Sequence, residues 1–303
     1  MPNQKHKQRH NNTNCSSSNT GLDGILAGNV PAWIPKLSNQ KYHDGPGWSS
    51  SQIKEIGRSP KSFYSKYLSD RAPSDPTPSM VLGRLVHTLV LEPDQFVKEF
   101  AILPEVNART KAGKEELLEF RQQTVGRQEI TRELHSKALK MRDAVFKTDA
   151  SAALLTQADL EFEGSGFWNC EWSGELCKYR PDARSDLALL DLKTISGTPD
   201  YDTVIRTVLR FNYHTSAAHY LEGDRIVRDT NHGNFVLIFV SSDEPFEVGV
   251  YTLDSEFLEL GRRMNRKWLR ELRHCFAEDR WPGVNAGQIT ELEIPPYLSR
   301  RLG

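Results

Sequence analysis

The chain has 303 residues, 38% of them hydrophobic and 26% charged, which suits a soluble globular protein with room for one large α/β domain or two small ones. A formal net charge of −1 excludes a protein that coats nucleic acid through global basicity, while leaving room for a local basic patch. No apolar run approaches membrane-spanning length and the start lacks an apolar leader core, so neither a membrane protein nor an exported one is expected.

Residues 1–46 are poor in apolar side chains and rich in Asn, Gln, Ser, Lys and His, and are expected to be a largely disordered tail. His6 and His10 within it have two readings, a metal or phosphate ligand pair and a solvated basic tail. Order is expected from Trp48, with one domain over residues 47–280 and an irregular tail over 281–303. Ser49-Ser50-Ser51 can cap a helix through Ile53 and Ile56. Ser59-Pro60 starts a second, with Phe63, Tyr64, Tyr67 and Leu68 on its apolar face. After the Pro-rich loop Ala72 to Pro78, Met80 to Leu91 reads as a strongly apolar helix that stops before Pro93. His87 shares a face of it with Gly83, and such a histidine is ordinarily a hydrogen-bonded core residue.

A short strand at Ala101-Ile102-Leu103 is followed by the basic, Gly-containing stretch Arg109 to Lys114, then by helices near Glu115 to Gln123 and Thr131 to Thr148. Leu160 to Cys170 alternates like a strand and carries Glu161, Glu163 and Trp168. Glu175 to Ala183 forms another, and Arg184-Ser185-Asp186 is turn-like. Leu187 to Leu192 is a mostly apolar run that suits a central strand buried on both faces. On that strand Asp191 and Lys193 point one way and Leu192 the other, and a hairpin would bring Asp182 near Asp191. Two carboxylates and an ammonium at the ends of paired strands make a site for a hard divalent cation and an activated water, able to cut a phosphodiester bond. The same triplet also reads as a strand-end salt bridge.

Helices follow at Tyr201 to Leu209, capped near Pro199-Asp200, and at His214 to Leu221; two strands follow at Asn234 to Val240 and Glu247 to Leu253. Ser255 to Phe276 is a long amphipathic helix with Phe257, Leu260, Met264, Trp268, Leu272 and Cys275 as its expected buried stripe. Arg262, Arg263, Arg266, Lys267, Arg270 and Arg273 crowd its other faces, either as a solvated surface or as a phosphate-contacting patch. The four cysteines, Cys15, Cys170, Cys177 and Cys275, lack the tight pairs of an iron–sulfur site and read as reduced thiols. The element order implies an α/β fold, a central mixed sheet flanked by helices.

An ordered series of these segments resembles the exodeoxyribonuclease VIII-type (RecE-type) nucleases, the phage-recombination branch of the PD-(D/E)XK superfamily. The series runs through Ser51 to Phe63, Leu82-Gly83-Arg84-Leu85-Val86-His87 to Pro93, Arg109 to Lys114, Glu163 to Trp168, Cys177 to Ala183, Asp191-Leu192-Lys193-Thr194 and Tyr213-His214 to Tyr220. The resemblance implies the restriction-endonuclease-like core and Mg²⁺ or Mn²⁺ as cofactor. It implies metal ligation by His87, Asp182, Asp191 and the Leu192 carbonyl, catalysis by Lys193, and a lesser role for Glu163. One departure stands out: Ser216 occupies the place where the family commonly has Gln, four residues before the motif tyrosine, Tyr220. Arg109, Lys111, Lys114, Ser216, Tyr220, Arg262, Arg266 and Arg270 are the candidate DNA contacts.

By this resemblance the expected activity is 5′→3′ degradation of double-stranded DNA from its ends, leaving 3′ single strands for recombination. A ring-like homo-oligomer, a single-strand annealing partner and the cytoplasm, that of a bacterial host if phage-encoded, are implied with it. Two rivals share the fold: a nuclease acting on single strands, flaps or internal sites, and a non-catalytic DNA-binding module. A third is an unrelated α/β protein in which the same residues form salt bridges.

Overall fold

β-Strands supply the frame of the molecule, and two of them change sheets midway. The structure, a computed structural model, describes residues 22–70, 75–230 and 233–294. In chain order the elements are α1 (Leu22–Leu26), β1 (Ala32–Ile34), α2 (Asn39–Asp44), α3 (Ser50–Arg58), α4 (Pro60–Tyr67) and α5 (Pro78–Leu91). Then come α6 (Phe96–Glu99), β2 (Phe100–Ile102), α7 (Lys111–Gln123), β3 (Gln128–Ile130), α8 (Arg132–Lys147) and α9 (Asp149–Leu155). The strand-rich centre follows with β4 (Glu161–Phe162), β5 (Ser165–Asn169), β6 (Leu176–Tyr179), β7 (Ala183–Arg184) and β8 (Leu189–Ile195). The chain closes with α10 (Tyr201–Arg210), α11 (Tyr213–Arg228), β9 (Phe235–Ser241), β10 (Val248–Thr252) and α12 (Ser255–Glu278).

The main sheet has the order β10-β9-β8-β7-β4, with β8 and β9 parallel and the other neighbours antiparallel. It is the mixed, helix-flanked sheet expected from the sequence. All seven residues of β9 are buried, because both faces of the strand are covered. Val236, Ile238 and Val240 pack with Leu85, Val86 and Leu89 of α5 and Met141 and Val145 of α8. Phe235, Leu237 and Phe239 pack on the other side with Val204 and Val208 of α10 and Ala217 and Leu221 of α11. A three-stranded sheet, β1-β5-β6, sits beside the main one, and β2 and β3 form a small parallel pair.

Local chemistry sets the helix starts. Ser49 and Gln52 close a reciprocal capping box at α3, Ser59 caps α4 with Pro60 in its first turn, and Asp200 caps α10. Two glycines let helices approach closely. A Cβ on Gly57 of α3 would lie 2.1 Å from the Trp268 ring of α12, and one on Gly261 of α12 would lie 2.3 Å from the His214 carbonyl of α11. α12 thus clamps α3 against α11.

Several expectations are corrected. Within the tail expected over residues 1–46, residues 22–46 are built into the fold, since Ile25 and Tyr42 bury against Phe167 and β1 pairs with β5; residues 1–21 lie outside the described residues. The fully buried Lys178 ammonium fastens this segment by donating to the carbonyls of Tyr42 (2.7 Å), His43 (3.3 Å) and Gly45 (2.6 Å). A few apolar anchors suffice here because their partners lie far along the chain. His6, His10 and Cys15 lie outside the described residues, and the other three cysteines are free and buried. The continuous strands read over Leu160 to Cys170 and Glu175 to Ala183 are each split in two. The α12 stripe is rotated: Leu258, Gly261, Asn265 and Leu269 join Trp268, Leu272 and Cys275, while Phe257, Leu260 and Met264 sit at its edges. Gly261 and Asn265 escape an apolar pattern, yet one fits the α11 backbone and the other donates to the Thr215 carbonyl at 2.9 Å. After α12 the described residues hold a 3-10 turn at Val284–Gly287, and Trp281 stacks on Phe63 with centroids 5.7 Å apart. No helix among the described residues is long and apolar enough to cross a membrane.

His219 of α11 is buried against Trp168 and donates from Nε2 to the Lys178 carbonyl at 3.0 Å. Burial drives its pKa from 6.5 down to about 4, so the folded state takes up this proton later than the unfolded state does. The stability it lends is therefore full above about pH 6.5 and is lost as pH falls toward 4, by about 3 kcal/mol in all. The difference in stability between the wild type and His219→Gln, read by urea unfolding, should accordingly narrow as pH is lowered from 7 to 4.5; a pH-independent difference would refute this assignment.

Candidate active site

The candidate site forms where two neighbouring strands leave one sheet for the other. β4 belongs to the main sheet and β5 to the small one, and the chain turns between them at Glu163-Gly164. Glu163 has φ 52°, a left-handed conformation that costs a non-glycine residue about 1 kcal/mol or more. Gly164 lies so close to Trp33 that a Cβ would come within 2.1 Å of its ring. β6 and β7 repeat the switch at Arg180-Pro181-Asp182. The two bends are joined by the Glu163 N–H donating to the Asp182 carbonyl at 3.3 Å.

Both acids reach the same histidine. His87, on α5, places Nε2 3.1 Å from Asp182 Oδ1 and 3.2 Å from Glu163 Oε1. The second Asp182 oxygen accepts the Leu192 N–H at 2.6 Å, so β8 fixes its direction. Arg180 backs Glu163 at 3.7 Å, donates to Ser165 Oγ at 2.9 Å and bonds the Leu37 carbonyl. Ala183 pairs with Leu190, which sets Asp182 beside Asp191. Leu192 packs into the core on one face of β8, and on the other Lys193 Nζ lies 2.6 Å from Asp191 Oδ2 and 4.0 Å from Asp182 Oδ2. The same ammonium donates to the Leu192 carbonyl at 3.3 Å.

Burial opposes every charge here, and the balance differs from group to group. It disfavours the His87 imidazolium, but the charge and hydrogen bond of Asp182, with the charge of Glu163, outweigh it and raise the pKa to about 9. Burial would raise Asp182, yet His87, Lys193 and the Leu192 N–H hold it down at about 2. For Glu163 burial wins over His87 and, helped by repulsion from Asp182, pushes the pKa up to about 7. Asp191 is raised by burial against the pull of Lys193. Lys193 is held firmly protonated, because Asp191 and Asp182 outweigh its desolvation.

One ligand atom each from His87, Glu163 and Asp182 lie within 4.8 Å of one another. An imidazole nitrogen with two carboxylate oxygens fits a divalent cation, which would take the place of the proton now held by His87. Asp191 stands apart from this trio, paired with Lys193. Glu163, expected to play the lesser part, is thus in the cluster, and Asp191 borders it.

A cleft of about 1820 Å³ opens over these residues, larger than a small-molecule pocket requires. Ser216 and Tyr220 of α11 line it as the sequence suggested. Arg109 and, on α7, Lys111 and Lys114 are exposed and do not line it, nor do Arg262, Arg266 and Arg270 of α12. Lys54 on α3, Arg206 and Arg210 on α10, and Phe211 and Tyr213, none of them assigned a role from the sequence, also line the cleft. A signal existed: Ser50 and Lys54, like Arg206 and Arg210, are four apart on helices whose apolar positions point elsewhere.

Residues 49–293 match the family described as a PDDEXK-like domain of unknown function (DUF3799). The chain belongs to this family. A crystal structure from Eubacterium rectale, named "putative exonuclease", superposes with a TM-score of 0.59 at 13% identity, over 86% of this chain and 96% of that one. At that identity the likeness is one of fold. No protein of curated function matches significantly.

The Asp182 carboxylate is what holds the His87 proton. In metal-free protein, Asp182→Asn should lower the His87 pKa from about 9 toward 6.5, read by NMR titration of the imidazole. The raised pKa adds stability that is complete below about pH 6.5 and gone above about pH 9, and that slope should vanish in the variant. Unchanged titration would mean that the His87–Asp182 pair is not formed.

Proposed function

We propose that the protein is a divalent-metal-dependent deoxyribonuclease that shortens linear double-stranded DNA from its ends. The reading adopts 5′→3′ polarity, release of 5′-mononucleotides and 3′ single-stranded products for recombination. The observation that carries it is the convergence of His87, Glu163 and Asp182 on one point beside the Lys193 ammonium, on a PDDEXK-like fold.

His87, Glu163 and Asp182 would hold the cation, Mg²⁺ or Mn²⁺, with Asp191 and the Leu192 carbonyl alongside. A bound divalent cation supplies acidity to water and offsets charge on phosphate oxygens. The protein's share is positional. Asp191 holds Lys193 upright and charged, so that its ammonium faces negative charge growing on the phosphate. The Leu192 N–H keeps Asp182 aimed at His87. Hydrolysis adds a water oxygen to phosphorus and breaks the P–O3′ bond, leaving a 5′-phosphate on one fragment and a 3′-hydroxyl on the other. The family resemblance supports adding a ring-shaped homo-oligomer, an annealing partner protein and action in a bacterial cytoplasm.

End-labelled linear duplex and covalently closed circular DNA, each with Mg²⁺ or EDTA, test this reading. Only the linear DNA with Mg²⁺ should be lost; cutting of the circle would replace the exonuclease with an endonuclease. Lys193→Met should lower the rate by about 10²- to 10³-fold without loss of fold, the usual cost of removing one charge-stabilising donor. Full activity in that variant would remove Lys193 from the reaction.

A further inference from the structure

Lys54 is a cation with no carboxylate in ion-pair contact among the described residues, Asp191 acting on it only from farther off. Its helix, α3, is fixed by the capping box at Ser49, by the buried Ile53 and Ile56, and by the contact of Gly57 with Trp268. The ammonium donates to Ser216 Oγ at 2.9 Å, and that oxygen also accepts from Ser50 Oγ at 2.9 Å. Among the described residues no carboxylate lies within ion-pair distance of it, and two of its three N–H donors have no protein acceptor. Both Lys54 and Lys193 approach the Tyr213 ring at 5.7 Å. Lys193, however, is neutralised by Asp191 at 2.6 Å, whereas Lys54 is not. Burial, with repulsion from Lys193, lowers the Lys54 pKa to about 8 against the weaker attraction of Asp191.

A half-buried cation with no ion-pair partner and unused donors is favoured by an anion that arrives to share the site. The cleft shows which class of anion. Arg206 and Arg210 of α10 line the same cleft, again without ion-paired carboxylates among the described residues, and Phe211 beside them is half exposed. A run of cations with an aromatic at its end fits the regularly spaced phosphates of a nucleic-acid strand better than a single small anion.

We infer that Lys54, seated on Ser216, binds a backbone phosphate adjacent to the one being cut, making it a substrate-binding residue that sets the register of the strand. Ser216 is short enough to leave the ammonium room at this point, so helix α3 supplies the grip where a long side chain on α11 would otherwise reach across. The inference rests on the nuclease reading for the identity of the strand, but not on the metal cluster.

The test is binding of a short, blunt-ended duplex in EDTA, across a range of salt concentrations. Lys54→Gln should weaken binding roughly tenfold or more, as expected for one charged hydrogen bond, and reduce the slope of log affinity against log salt by about 1. Lys54→Arg should restore the slope, and with Mg²⁺ the Gln variant should show a raised KM at nearly unchanged kcat. An unchanged slope in a folded Gln variant overturns the inference while leaving the nuclease reading intact, since wild-type hydrolysis is scored separately. Wild-type protein that neither binds nor cuts DNA overturns both. If Lys54→Gln does not fold, reductive methylation of the wild type decides: bound DNA should protect Lys54, and equal labelling with and without DNA refutes the role.

Discussion

Everything at the candidate site depends on two adjacent strands abandoning their ladder at the same height. An unbroken strand from β4 to β5 would point alternate side chains to opposite faces and would keep Glu163 in pleated geometry. The bend at Glu163-Gly164 and its counterpart at Arg180-Pro181-Asp182 free both acids from that alternation and turn them toward α5. The bends are not cheap. One residue adopts a left-handed conformation and the ladder loses its regular pairs, so they persist only because the surroundings over-determine them. Trp33 fills the space above Gly164, Pro181 interrupts one strand, and the Glu163 N–H to Asp182 carbonyl bond ties the two turns together.

The ordered segment ahead of α3 belongs to the same device. Lys178 gathers three carbonyls from the α2 region, and Arg180 bonds Leu37 on one side and faces Glu163 on the other. A buried guanidinium needs several acceptors, and Arg180 takes one of them, the Leu37 carbonyl, from 143 residues away beside the nearer Ser165 and Glu163. The N-terminal segment is thereby part of the wall of the cleft, with Leu37, Ser38 and Tyr42 lining it.

The strand positions of Asp191 and Lys193, the capping of α3 and α10, and the order of helices and strands could all be read from spacing, because they depend on neighbours a few residues apart. What could not be read depends on distant partners. The family resemblance gives Glu163 a lesser role; its place in the cluster comes from a bend beside Trp33 and tied to Asp182. Residues 22–46 looked too polar to fold, since their buried area is provided by Phe167 and Leu176. The α12 stripe was misjudged by a fraction of a turn, because Gly261 and Asn265 are buried through backbone proximity and a hydrogen bond rather than apolarity.

Charge shows the same contrast between sequence and space. The Arg-rich face of α12 is the densest basic run in the sequence, yet its members are largely hydrated, and Arg262 has Glu259 beside it at 3.4 Å. A hydrated arginine costs nothing and calls for no ligand. Lys54 is a single lysine on a nine-residue helix, but its ammonium is half-buried beside another cation, bonded only to the Ser216 hydroxyl and drawn by Asp191 from beyond ion-pair distance. Partial desolvation without an ion-pair partner is the costlier state, so this half-buried cation with spare donors points to an anion more sharply than the larger exposed cluster does. The wall proposed to bind a strand runs along α3, α10 and the start of α11, and α12 presses α3 and α11 together.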